Sequence, residues 1–384
     1  MKTFFDILSV VFLALGGLIG AGFVSGSELV SFFGAENFFL PLVLSCACLF
    51  LFINLTFSFA RQQSFESASN TLFGSRKVVD GVVFITSFVL FCSMLAGLDA
   101  VWKGLNFLPN LPVLSVGCLV AVSLLSRNGI KGIERWNVLL MPTVVLIVVS
   151  SAFRVVKLGE PCLINVSFFS GVNGVLYSAL NTFICLPVLF DTAYKKPKRL
   201  LKVCAIIISL TVFCLAYLIL STIKQNDGSE NAEMPFFYAI SKKGFSPLLF
   251  LALLMGTVTS ASTSYYAVYK KIYPKYSYKG LVIVGVVAFV FSRLGMNLIV
   301  KYVYPLIGGL GVVFVLKMFL EKIKIARIKQ GQISDNNFIF IKEKKPMSKK
   351  KKNKIAKLSD QQYAEYIMSL KDEKPPKIVR ETQE

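Results

Sequence analysis

The feature that most restricts this chain is the recurrence, through its first 320 positions, of apolar runs separated by short gaps that hold charges, proline or glycine. The runs fall approximately at 4–34, 38–60, 79–102, 112–126, 136–156, 168–191, 200–223, 245–269, 280–296 and 297–320. A helix of about 20 mostly apolar residues crosses the hydrocarbon core of a bilayer. Lipid offers no partner to a peptide group, so each crossing segment must satisfy its own backbone. The alternating segments of about ten residues that build a barrel do not occur. The expectation is an all-α integral membrane protein of about ten transmembrane helices. Composition agrees: 55% hydrophobic and 16% charged residues over 384 positions, with a mean hydropathy of +0.65, leave too little polar surface for a soluble fold of this length.

The first run opens on Lys2 and carries small residues at Gly20, Ala21 and Gly22, the outline of a cleaved secretory signal. It continues apolar to Phe33 with no soluble domain behind it, so it reads as an uncleaved first helix. Cationic residues set the orientation. Arg61, Arg76 and Lys77 follow the second run, Arg127, Lys131 and Arg135 the fourth, Lys195, Lys196, Lys198, Arg199 and Lys202 the sixth, and Lys270, Lys271, Lys275 and Lys279 the eighth. By the positive-inside bias these loops and both termini face the cytoplasm of a multi-pass protein in the cell membrane. Much of the net charge of +21 is topology signal, and no nucleic-acid partner is expected, since no RNA- or DNA-binding module is visible.

Seven of the eight cysteines, all but Cys162, sit in apolar runs where a thiol behaves as a small hydrophobe, and there is no histidine. Neither a disulfide framework, a metal site nor a cofactor is expected. The spans hold no paired carboxylates and no nucleophile beside a base, which argues against an enzyme.

The most informative segment runs from Gly16 to Glu28, inside the first run. Five glycines in its first eleven positions weaken a helix by about 1 kcal/mol each relative to alanine. One reading is close packing, with Gly16 and Gly20 forming a small-residue seam. The other is an unwound midpoint whose exposed backbone groups bind a solute and a cation. Run six supplies a second candidate interruption: polar Ser178, Asn181 and Thr182 near mid-depth, then Pro187, which removes a backbone donor. Interruptions in helices one and six, five helices apart, are what two inverted five-helix repeats produce, here about 1–157 and 168–320.

The Gly20-Ala21-Gly22-Phe23 core after Ile19 resembles the first-helix break of the amino acid–polyamine–organocation superfamily, whose members share the LeuT-type five-plus-five fold. More narrowly, residues 20–26, Met94-Leu95-Ala96-Gly97 and Tyr304-Pro305-Leu306-Ile307-Gly308 resemble the YkvI-like group of membrane proteins. The resemblance implies broken helices one and six around a central site. Its substrate-binding residues would be Gly20, Ala21, Gly22, Phe23, Ser25 and Gly26 of helix one, Ala96 and Gly97 of helix three, and Ser178, Asn181 and Thr182 of helix six. The second half of helix one, near Ser25, would face a substrate carboxylate if there is one. Run eight carries a dense set of hydroxyls from Thr257 to Ser264, usually a means of gluing helices together. Thr259 and Ser260 resemble the hydroxyl pair with which sodium-coupled LeuT-type transporters hold Na⁺ against first-helix carbonyls, here those of Gly20 and Phe23. Glu28 lies less than two turns beyond Ser25, which puts an intramembrane carboxylate in the outer vestibule as a gate or as half of a salt bridge.

Beyond about residue 320 the apolar runs stop, leaving 321–384 as a cytoplasmic tail. The cluster Lys344–Lys357 suits anionic lipid headgroups. Ser359-Asp360-Gln361-Gln362 has the form of a capping box before a short amphipathic helix near 359–372. The leading functional expectation is a secondary transporter that moves a small solute of the amino acid or amine class by alternating access, coupled to Na⁺ or H⁺. The alternative is a non-transporting receptor or scaffold that acts through the basic tail.

Overall fold

In the computed structural model the described residues are 2–103, 112–126, 129–156, 168–226, 228–242 and 246–342. The lysine cluster Lys344–Lys357, the expected helix near 359–372 and Cys162 lie outside them. Contacts divide the chain into one unit of residues 1–321 and a second of 322–384. No strand occurs among the described residues, so the spanning segments are helices and not a barrel.

The first apolar run is not one helix but three: α1 (Lys2–Leu18), α2 (Ala21–Ser25) and α3 (Ser27–Phe33). There follow α4 (Phe39–Ala60), a short α5 (Phe65–Phe73), α6 (Arg76–Lys103), α7 (Val113–Ser126), α8 (Gly129–Phe153), α9 (Phe168–Ala193), α10 (Lys198–Lys224), a short α11 (Pro235–Ser241) and α12 (Ser246–Ser292). A three-residue α13 (Met296–Leu298) and a π-turn (Ile299–Val303) lead into α14 (Tyr304–Lys342). Among the described residues, seven helical segments are long and apolar enough to cross a membrane. Three shorter apolar segments, Phe4–Leu18, Val113–Leu124 and Lys279–Ser292, stand where the sequence reads a first, a fourth and a ninth crossing. The chain is therefore a multi-pass membrane protein.

The sequence separates an eighth from a ninth run, whereas α12 is hydrogen-bonded through 47 residues. A straight helix of that length would measure about 70 Å, more than twice the hydrocarbon thickness. Its contacts show that it is not straight. Tyr265 stacks on Phe91 and the Lys271 ammonium lies over the Phe84 ring, so α12 first runs antiparallel to α6. Phe291 then meets Phe88 and Arg293 pairs with Asp99, so the later part runs parallel to α6. The direction reverses between Lys271 and Phe291, and one element makes both crossings.

The missed element α5 begins at Ser64, whose side chain accepts from the Ser67 N–H at 3.3 Å. Its Phe65 and Phe73 pack edge-on or tilted against Phe190 of α9 and Phe314 of α14. One end of the bundle carries the ion pairs Asp6–Lys196 and Asp191–Lys270, and Asp99–Arg293 marks the opposite end. α1 is central, in contact with α8, α9, α10 and α12, and Val10, Leu13, Ala14, Leu15, Leu18 and Ile19 are all buried. Exposed apolar side chains gather on outer helices, among them Leu139 and Leu146 of α8, Val282 and Val290 of α12 and Leu306 of α14. That is the surface a lipid solvent selects.

Helix six departs from expectation. The sequence suggests an interruption there, yet α9 is a single helix of 26 residues that continues through Pro187. Its polar side chains support the helix they belong to. Ser178 donates to the Gly174 carbonyl at 2.8 Å, Asn181 Nδ2 to the Tyr177 carbonyl at 2.9 Å, and the Thr182 hydroxyl to the Ser178 carbonyl at 2.8 Å. Glycines also bring neighbouring backbones hard against it. A methyl group on Gly174 would lie 2.6 Å from the Pro41 carbonyl oxygen of α4. One on Gly308 would lie 2.9 Å from the Leu176 carbonyl oxygen, and one on Gly311 2.4 Å from that of Ala179. α9 is thus held on two sides by α4 and α14, and a proline in such a clamped membrane helix is accommodated without breaking it.

Candidate functional site

The interruption expected in helix one is present. α1 ends at Leu18, Gly20 is extended (φ −100°, ψ −168°), α2 makes little more than one turn, and Gly26 at φ +82° reverses the backbone before α3. A left-handed φ at Gly26 is open to glycine at little cost and disfavours other residues. Packing leaves no room for a larger residue there either, since a methyl group on Gly26 would meet Ile223 of α10 at 2.7 Å and Phe236 of α11 at 3.2 Å. Both readings of the glycine segment hold together. Gly16 lies against Asn137 of α8, Gly17 against Cys185 of α9 and Thr263 of α12, and Gly20 against Met94 of α6 and Ser260 of α12. The same small residues that unwind the helix admit four neighbouring helices to it.

A narrow internal cavity opens at the break, with room for about one water molecule. Gly17, Leu18 and Gly20 of helix one form one wall. Leu90 and Met94 of α6, Asn181 and Ile184 of α9, Ser260 and Ser264 of α12 and Tyr304 of α14 form the rest, together with Glu28. No hydrogen bond to the Gly17 or Leu18 carbonyl is found among the described residues. Those carbonyls belong to the last turn of a 17-residue helix, where the backbone dipole is negative.

Glu28 is where sequence reasoning and structure differ most. Two turns past the break should carry it to the outer vestibule, but the reversal at Gly26 turns α3 so that the carboxylate points back into the cavity. It is 4% exposed, and Oε2 comes within 2.9 Å of where a Gly22 methyl would be. Gly22 therefore makes space for the carboxylate of Glu28. No Lys or Arg lies within ion-pair distance of Glu28 among the described residues. Tyr304 donates to Ser93 at 3.2 Å, and the Tyr177 side chain is buried.

Of the residues expected to bind substrate, Gly20 and Asn181 line this cavity. Ala21 faces Gly97, whose missing side chain lets α2 sit on α6 with Met296 beside them, so Gly97 serves packing, and Ala96 next to it is buried. Phe23 is buried, and its carbonyl accepts from the Gly26 N–H at 3.1 Å. The Ser25 hydroxyl donates to the Gly22 carbonyl at 3.2 Å and meets that of Ser27 at 3.1 Å. Gly26 is packed against α10 and α11. Ser178 faces Ser45 of α4 at 2.9 Å, and the Thr182 hydroxyl is turned onto its own helix. Leu90, Met94, Ile184, Ser264 and Tyr304 were not expected. Four of them are ordinary apolar or aromatic residues that only tertiary placement distinguishes.

The expected cation ligands shift in register. Ser260 donates to the Gly16 carbonyl at 2.7 Å, and the Ile19 carbonyl oxygen lies 3.3 Å from where a methyl on Gly256 would be. The carbonyls that α12 meets are therefore those of Gly16 and Ile19. Those of Gly20 and Phe23 accept the Val24 and Gly26 N–H groups instead. Thr259, the residue before Ser260, turns its hydroxyl onto its own helix, donating to the Gly256 carbonyl at 2.8 Å with the Met141 sulfur 3.4 Å off. Among the described residues no three His, Cys, Asp or Glu side chains gather as a metal centre.

Asp99 is 8% exposed and pairs with Arg293 at 3.4 Å, bracing α6 against the end of α12.

Neither a protein-family model nor a curated protein sequence matches the chain. Solved structures do. One is MhsT in complex with L-phenylalanine, with a TM-score of 0.56, 14% identity, and 81% of this chain and 95% of that one covered. Another is Mhp1, a nucleobase-cation-symport-1 family transporter, in a closed conformation with bromovinylhydantoin bound. Its TM-score is 0.52 at 14% identity, covering 77% of this chain and 73% of that one. The likeness is one of fold, and the fold is of the LeuT type.

Proposed function

We propose that the protein is a secondary transporter, of the YkvI-like kind, that moves a small solute across the cell membrane by alternating access, with both termini cytoplasmic. The observation that carries this reading is a first helix broken partway along its span, its last carbonyls and one buried carboxylate facing a cavity within a LeuT-type bundle. Irregular backbone at membrane depth is tolerated where it is buried in protein or lines a cavity, and in transporters such breaks are where solute and coupling ion bind. The solved neighbours support the reading, since one is a transporter with bound bromovinylhydantoin and the other holds L-phenylalanine. The solute is of the amino acid or amine class, and the coupling ion is Na⁺ or H⁺. For Na⁺ the oxygens at hand are the Gly16 and Ile19 carbonyls and the Ser260 hydroxyl, with the hydroxyl of the preceding Thr259 turned onto its own helix.

Flux into proteoliposomes holding the purified chain tests this. Uptake should follow an imposed Na⁺ or proton gradient, and uptake that ignores both gradients would refute secondary transport. Replacement of Na⁺ by choline separates the two ions. The basic cluster Lys344–Lys357 is proposed to rest on anionic headgroups, and removal of residues 340–384 should weaken association with acidic vesicles while leaving flux intact.

A further inference from the structure

We infer that the cavity at the helix-one break receives a small organic cation, an ammonium group with a compact apolar body and no carboxylate, and that Glu28 is its counter-charge. The inference rests on the transport reading and specifies its substrate. Among the described residues Glu28 is the only charged side chain lining the cavity, it is 4% exposed, and no lysine or arginine pairs with it. An unpaired carboxylate inside a membrane span is strongly unfavourable; a proton relieves it in the empty site, and a cationic ligand supplies the missing counter-charge when it enters. Much of the remaining polar lining is acceptor in character. The last turn of α1 presents carbonyl oxygens. Asn181 spends its Nδ2 on the Tyr177 carbonyl, which leaves its amide oxygen to accept. Ser260 spends its proton on the Gly16 carbonyl, which leaves lone pairs.

A ligand carboxylate entering this site would meet a second carboxylate and no cationic side chain. A bare metal ion would find hydrocarbon on much of its perimeter, because the side chains of Leu18, Leu90, Met94 and Ile184 supply no hard oxygen ligand. An alkylammonium ion satisfies both halves, with the charge at Glu28 and the body against those side chains. The cavity holds about one water as it stands, and the flexible Met94 side chain, whose sulfur lies against Gly20, is the wall most easily displaced.

The test uses three molecules with one side chain: isopentylamine, leucine and 4-methylpentanoate, carrying respectively an amine, both groups, and a carboxylate alone. Each is titrated against the full-length protein in nanodiscs at neutral pH, with binding read by calorimetry. Isopentylamine should bind at least about tenfold more tightly than either of the others. Glu28→Gln should lose at least about tenfold of that affinity while Glu28→Asp keeps part of it, a tenfold change being the smallest that a lost charge pair should produce. Thermal unfolding of both variants confirms that they are folded, and the wild-type ranking stands whatever they do. Leucine or 4-methylpentanoate binding best would overturn the inference, and so would binding of none of the three. Flux of the same molecules keeps the two ideas apart. Leucine bound and transported leaves transport standing and removes the amine. Isopentylamine bound through Glu28 and never moved keeps the amine and removes transport.

Discussion

Helices one and six are the two places where the sequence suggests a broken membrane span, and only one of them is broken. Helix one loses its hydrogen bonding at Gly20 and turns over at Gly26, whereas α9 passes through Ser178, Asn181, Thr182 and Pro187 without interruption. The difference lies in what surrounds the weak point. Around helix one the glycines face side chains, Asn137, Cys185, Met94 and Ser260, and the backbone approach of the Ile19 carbonyl to Gly256 of α12 is looser, 3.3 Å from where a methyl would lie. Around α9 the neighbours are backbones that approach across Gly174, Gly308 and Gly311. A helix pressed by other helices at backbone distance has no room to unwind. A helix bordered by side chains and a cavity does.

This contrast breaks most directly at the clamp. Gly311→Val places a branched side chain where a single methyl would already lie 2.4 Å from the Ala179 carbonyl. The expected result is a loss of about 3 kcal/mol in stability, the upper end for overpacking, seen as a lower melting temperature in detergent. Flux per folded molecule should be preserved, because Gly311 presses on Ala179 and Phe183, which are not themselves cavity-lining residues. Loss of flux with unchanged melting would make α9 a moving part.

Gly26→Ala is the corresponding change in helix one. It forces a side chain into a left-handed conformation, disfavoured by about 1–2 kcal/mol, and drives it against Ile223 and Phe236. Here the site should suffer more than the fold. Glu28 is aimed into the cavity by the turn at Gly26, so flux per folded molecule should fall at least about tenfold while melting drops by only a few degrees. Flux at the wild-type level would show that the reversal does not position the carboxylate.

What the sequence made legible follows from the same physics. Apolar run length reports the solvent, so the all-α membrane class and most spans were readable from residues alone. The break in helix one was readable because five glycines act locally on backbone propensity. The integrity of α9 was not, because it depends on Pro41, Gly308 and Gly311, which lie far from α9 in sequence. The position of Glu28 was hidden for a related reason: one left-handed glycine redirects everything after it, and counting turns along a straight helix cannot register that. The cavity walls Leu90 and Ile184 carry no sequence signal that separates them from any other buried apolar residue, and Tyr304 belongs to a resemblance motif that does not mark it as a wall.

A milder test sharpens the comparison at the contact between helix one and α12. Ser260→Ala removes the hydrogen bond to the Gly16 carbonyl, a loss of about 1 kcal/mol, and leaves that carbonyl unpaired. If Na⁺ uses this oxygen pair, half-saturation by Na⁺ should rise about fivefold with little change at saturating Na⁺. Thr182→Ala makes the control, since its hydroxyl also donates to a carbonyl but within α9, and its Na⁺ dependence should match the wild type. A shift in both variants would trace the effect to general loosening.

The smallest effect belongs to Pro187. Its ring leaves the carbonyl four residues earlier, at Phe183, without a helical donor, and an alanine would restore that bond. In a soluble helix the gain would be large, but here the packed neighbours already tolerate the proline, so Pro187→Ala should stabilise by less than about 1 kcal/mol. Its value lies in the sign of the functional change. If α9 acts as a rigid post against which helix one rearranges, the substitution should leave flux and Na⁺ dependence untouched. If the proline is a latent hinge that opens in another state of the cycle, restoring the hydrogen bond should slow flux while raising stability. Stopped-flow uptake together with thermal unfolding of the same sample separates the two, and a faster-melting, slower protein would fit neither.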